Sequence, residues 1–136
     1  MTVGAVSWRK VTIASGTALS DALNIQGYRV IALAHRANVE GTAYGAQVPN
    51  PADSATFVAL SRDIREATGA APVTAAWEVT KSATAAQVIM LDPVDYIVSF
   101  GQVKIQTQDG AGAAVNQNAN EDIYLLLEEI GLGIEH

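Results

Sequence analysis

The chain has 136 residues, of which 49% are hydrophobic and 16% are charged, and its formal net charge is -6. The composition is that of a globular protein, and the length predicts a single domain over residues 1–136. Cysteine is absent, which excludes a disulfide framework, a thiol nucleophile and a cysteine-based zinc site. No lysine or arginine follows Lys104, and an acidic chain of this kind is not expected to bind nucleic acid or an anionic membrane.

Short apolar segments separated by turn residues predict an antiparallel all-β protein. The clearest strand is 28–34 (YRVIALA), because β-branched and aromatic residues fill it. A strand is also predicted at 6–13, with a slip of its alternation at Arg9 and Lys10. Further strands are predicted at 75–80, 87–91, 96–100 and 102–107. The segment 123–130 fits a last strand or a short helix, and the strand rests on Ile123, Leu125 and Leu127 sharing one face.

Two segments are less regular. Residues 36–54 hold glycine, proline and asparagine with little periodicity, which predicts one long surface loop. Loops of that length are usually mobile or functional, so we expect fast amide exchange or partner contact there. Residues 53–69 fit a helix, from the spacing of Phe57, Leu60 and Ile64, or a strand at 56–61.

The candidate catalytic or metal-binding residues, His35, Asp92 and Asp95, show no spacing that is typical of an active site. His35 follows a strand and has no acidic or serine companion at a recognised spacing, which predicts a surface or strand-end residue. Asp92 and Asp95 fit a calcium site, an acid–base pair or a turn, and the turn is favoured because the other calcium ligands are missing. The sequence therefore predicts no catalytic residue, no cofactor, no metal and no enzyme.

The aromatic residues divide between core and surface. Tyr28, Trp77 and Tyr96 lie inside apolar strands and are expected in the core, whereas Tyr44 lies in the predicted loop and is expected to be exposed. The chain ends carry further apolar side chains that can lie across a neighbouring molecule. The candidate partner contacts are Trp8, Tyr44, Val48, Leu132 and Ile134.

Three stretches carry a resemblance to a known family. The first is VTIASGTALSDALNIQG at 11–27, followed by YRVIALA, and the second is TFVALSRD at 56–63. The third, at 88–127, holds an LDP turn, a VKI strand and an AVNQ loop before the final strand. Together they resemble the small head-associated proteins of tailed bacteriophages over well over half of the chain. Residues 36–54 and 62–86 depart from that family's pattern.

The resemblance implies a jelly-roll-like β-sandwich, and it favours the strand over the helix at 56–61. It also implies a capsid cement or decoration protein that binds the major capsid protein as a homotrimer. We therefore expect the chain on the exterior of the virion after synthesis in the host cytoplasm, because MTVGAVSWRK lacks a signal peptide. The alternative is a carbohydrate-binding module for host attachment, since exposed aromatic rings on a β-sandwich can stack on sugars.

Overall fold

The computed structural model describes residues 5–64, 73–98 and 100–130, which form an antiparallel β-sandwich. Its two short 3-10 turns are Pro51–Asp53 and Pro93–Asp95. The strands are β1 (Val6–Ile13), β2 (Leu23–Asn24), β3 (Tyr28–His35), β4 (Ala43–Asn50), β5 (Thr56–Ala59), β6 (Ser61–Ile64), β7 (Val73–Ala76), β8 (Val79–Thr80), β9 (Gln87–Met90), β10 (Gln102–Gln108) and β11 (Glu121–Glu129).

The strand order places the first and last strands side by side. The first sheet has the order β1-β11-β3-β9, and the second has β2-β10-β4-β5, with β8 also paired to β4. Strands β6 and β7 form a separate two-stranded ribbon. Early and late strands alternate within each main sheet, which is the arrangement of a jelly roll. The predicted all-β, jelly-roll-like sandwich is confirmed.

Strand β11 lies at the centre of the first sheet, between β1 and β3. Its alternate residues Ile123, Leu125 and Leu127 are fully buried, as the strand prediction for this segment requires. Ile123 pairs with Val11 of β1, and Leu125 pairs with Leu33 of β3. These side chains meet the second sheet across one core, whose other large members include Tyr44, Trp77, Ile97, Val103 and Ile105.

The predicted loop at 36–54 is wrong for most of its length. Residues Ala43–Asn50 form β4, which pairs with β10 on one side and with β5 and β8 on the other. Tyr44 is fully buried and Val48 is also buried, so neither is the exposed contact that the sequence predicts. Pairing on both edges makes a strand of a segment whose composition favours a loop.

Other expectations meet the structure as follows. The strand at 56–61 is confirmed as β5 and the start of β6, and Trp77 lies in the core. The slip of alternation in the first strand is a change of face, because Val6 and Trp8 are exposed whereas Val11 and Ile13 are buried in the core, although β1 pairs with β11 without interruption. Asp92 forms the predicted turn, since its side chain accepts the amide N–H of Val94.

Neighbouring leucines on opposite faces of β11 allow a matched test of this packing. We expect Leu125→Ala to lower the free energy of unfolding by about 3 kcal/mol, because it opens a cavity in the core. Leu126→Ala, on the outward and partly exposed face, should cost about 1 kcal/mol or less. Urea denaturation measures both, and equal losses would contradict the assignment of the two faces.

Candidate functional site

The outward face of the first sheet is largely apolar. One row of directly paired residues crosses all four strands, in the order Trp8, Leu126, Ala32 and Met90. The adjacent row runs Lys10, Tyr124, Ala34 and Val88. We call this surface the apolar face, and its members are Val6, Trp8, Ala32, Ala34, Val88, Met90, Tyr124 and Leu126, of which Ala32 is itself fully covered.

Alternation of side chains explains why this face points away from the core. Leu125 and Leu127 point inward, so Tyr124 and Leu126 point outward. The larger members remain open to solvent: the exposed fraction is 67% for Val88, 64% for Met90 and 43% for Trp8. Isolated apolar residues on a surface are ordinary, but apolar side chains gathered on one sheet face are typical of an interaction site.

Charged residues at the two ends of the face are paired with one another. Lys10 lies 3.7 Å from Asp122, and the guanidinium of Arg29 lies 2.5 Å from the carboxylate of Glu128. Each pair cancels its own charge. The face is therefore close to neutral, although the chain as a whole carries -6.

A shallow hollow adjoins the face beside Tyr124. Its lining comes from the ends of β3, β9 and β11 and consists of Ala34, His35, Arg36, Ala86, Gln87, Val88 and Tyr124. Because Tyr124 and Val88 belong to both surfaces, the hollow extends the apolar face toward more polar groups.

His35 lies below this hollow and is buried, so the expectation of a surface residue is wrong, whereas its place at the end of β3 is confirmed. Its Nδ1 lies 2.8 Å from the carbonyl oxygen of Arg36, and its Nε2 lies 3.0 Å from Oε1 of Gln87. That Gln87 oxygen also accepts the amide N–H of Ser82 at 2.7 Å. The imidazole ties the end of β3 to the start of β9, and among the described residues it hydrogen-bonds to no serine side chain and no carboxylate.

Lys81 is a buried cation that holds the chain around it. Its ammonium donates to the carbonyl oxygens of Val39 at 2.6 Å, Gly41 at 2.8 Å and Ser82 at 2.9 Å. These bonds use all the protons of the ammonium group. Burial lowers the pKa of Lys81, while the nearby charges of Glu40 and Glu121 act in the opposite direction. The side chain is a structural clamp rather than a nucleophile.

Two further polar residues, Arg36 and Tyr44, adjoin His35. Arg36 donates to both carboxylate oxygens of the buried Glu121, at 2.7 and 3.0 Å, and this hydrogen bonding raises the pKa of Arg36. Burial raises the pKa of Tyr44, whose hydroxyl has no hydrogen-bond partner among the described residues. Within the same part of the chain, no group of three or more His, Asp or Glu could hold a metal ion.

Of the three candidate contacts that fall within the described residues, the structure brings one to the apolar face. Trp8 lies on it, Tyr44 and Val48 lie in the core, and Leu132 and Ile134 fall outside the described residues. Sequence reasoning missed Val88, Met90 and Tyr124. The sequence of 88–91 (VIML) could have indicated them, because consecutive rather than alternate residues are apolar there. Such a run is expected for a strand that is covered on both faces.

No family model, curated protein or solved structure matches the chain. Within residues 5–64, 73–98 and 100–130, no helix is long and apolar enough to cross a membrane. The resemblance to phage head proteins therefore remains a prediction from the stretches quoted above.

Replacing Lys81 tests its role as a clamp. We expect Lys81→Met to lower the free energy of unfolding by about 3 kcal/mol, because it leaves carbonyl oxygens of the 39–42 segment and Ser82 without a donor. Lys10→Met is the control, since it removes an exposed ion pair and should cost less than about 1 kcal/mol. Similar losses in chemical denaturation for both variants would contradict the clamp.

Proposed function

We propose that the chain is a structural protein of a tailed-phage virion that decorates the capsid, and that the apolar face seats it on the major capsid protein. The observation that supports this most is the face itself, an apolar surface that crosses the whole first sheet. The resemblance of the three sequence stretches supplies the capsid as the partner. It also supplies the homotrimer, which we propose as the form that binds.

Burial of such a face contributes a driving force for docking. Removing apolar surface from water contributes roughly 25 cal/mol per Å2, and stable protein interfaces bury about 800 Å2 on each partner. Because the face is built on paired strands, its backbone is held in position before binding, and little backbone conformational entropy is lost.

The charge arrangement indicates what kind of surface fits. Lys10 and Arg29 already form ion pairs with carboxylates of the same chain, so the face offers no unpaired cation to an acidic partner. A strongly charged partner would lose its hydration without gaining ion pairs. The partner surface expected here is uncharged and apolar, with polar groups only at the rim.

A carbohydrate-binding module is the second candidate, and one observation favours it. Trp8 and Tyr124 are exposed aromatic residues on the neighbouring strands β1 and β11. Aromatic rings stack on the apolar faces of sugars. Leu126 and Ala32, in the row with Trp8, supply no side-chain hydrogen bonds for sugar hydroxyls, whereas Arg36, Asn120 and Asp122 line a hollow with Tyr124 and supply such groups. This function comes second because the resemblance of the three sequence stretches implies a capsid partner.

Co-sedimentation with capsid shells tests the proposal. We expect the chain to pellet with shells assembled from the major capsid protein encoded in the same genome. Val88→Glu should reduce the bound fraction about tenfold or more, because it buries an unpaired charge at the interface.

Val94→Glu is the matched control, because Val94 is also an exposed valine but lies in a 3-10 turn outside the two rows. It should bind like the unmodified chain. Equal binding by all three proteins, or no binding of the unmodified chain, would contradict the proposal. A glycan array that retains the unmodified chain and loses Trp8→Ala would support carbohydrate binding instead.

A further inference from the structure

Strand β9 is an open edge of the first sheet. It pairs with β3 through Gln87, Val88, Ile89 and Met90. Among the described residues, no strand pairs with its other side. The backbone N–H and C=O groups on that side are therefore free to pair with another extended chain.

The β1 edge of the first sheet is protected against pairing with another strand, whereas the β9 edge is not. At the β1 edge, Asp21 donates its amide N–H to the carbonyl oxygen of Thr12 and accepts the amide N–H of Thr12 through its carboxylate. Exposed Arg9 and Lys10 add charge to that edge. Natural sheets use such devices to prevent unwanted pairing. The sequence of β9, QVIM, contains no charge and no proline, and its pairing with β3 contains no bulge.

The open edge and the apolar face share the same residues. Val88 and Met90 end the two rows that cross the sheet, and they are the most exposed members of the face. A partner that covers both side chains also excludes water from the backbone edge of β9. Covering that edge without supplying hydrogen bonds is costly, because each unsatisfied buried backbone group costs about 1–3 kcal/mol.

We propose that β9 receives an extended segment of the partner as an additional strand of the first sheet. The inference rests on the proposed function, so the occupant is an extended arm of the major capsid protein. Its backbone pairs with Gln87–Met90, a length of about 13 Å at 3.3 Å per residue.

The rows define the chemistry of that arm. Side chains at alternate positions of the added strand lie beside Met90 and Val88, and they continue the rows outward. Uncharged, aliphatic or aromatic residues fit there, because the face carries no unpaired charge. The intervening side chains lie beside Gln87 and Ile89, which are half-buried.

Nuclear magnetic resonance with overlapping peptides of the major capsid protein tests the inference directly. We expect one peptide to give backbone-to-backbone nuclear Overhauser effects with residues 87–90 of the labelled chain. Exchange of amides in β9 should slow by about tenfold or more when that peptide is bound. Met90→Lys should abolish this binding, because a lysine at the edge blocks strand addition, whereas Val94→Lys should not.

The same experiment separates the two proposals. If the chain pellets with shells through its apolar face but no peptide pairs with β9, strand addition is wrong and the decoration role stands. If peptides shift only side-chain signals of Trp8 and Tyr124, the partner lies flat on the face and strand addition is again wrong. If neither shells nor peptides bind, both proposals fail.

Discussion

The centre of strand β11, from Ile123 to Leu127, is apolar on both of its faces, and the rest of the structure depends on how each face is covered. Its inward residues Ile123, Leu125 and Leu127 fill the core between the two sheets. Its outward residues Tyr124 and Leu126 form the centre of the apolar face. The pairing that folds the sandwich therefore also fixes the register of the interaction surface, since a shift by one residue would exchange the two sets.

Buried polar groups keep the surrounding loops in place. Gln117 accepts the amide N–H of Glu40 and donates to the carbonyl oxygen of Glu40 and to the hydroxyl of Thr107. Lys81 acts in the same way on the 39–42 segment. Such groups specify one arrangement, because each would be costly to leave unpaired.

Part of this architecture could be predicted from the sequence, and the failures have physical causes. Strands such as β3 and β11 are rich in β-branched and large apolar residues, so local composition identifies them. Strand β4 holds glycine, proline and asparagine, and only its pairing with β10 and β5 makes it a strand. Gly45 illustrates this, because a Cβ there would lie 2.3 Å from Oε1 of Gln108, a residue distant in sequence. Likewise, the apolar character of Val88 was visible, but only the fold shows that its side chain points outward.

The central claim is that the apolar face of the first sheet is an interface in the assembled virion. Electron cryomicroscopy of the phage particle tests it most directly, because density for the chain on the capsid would reveal its orientation. The account predicts that Trp8, Val88 and Met90 lie against the major capsid protein, with the second sheet toward solvent. Density that places these side chains in solvent, or particles that lack the chain, would contradict it.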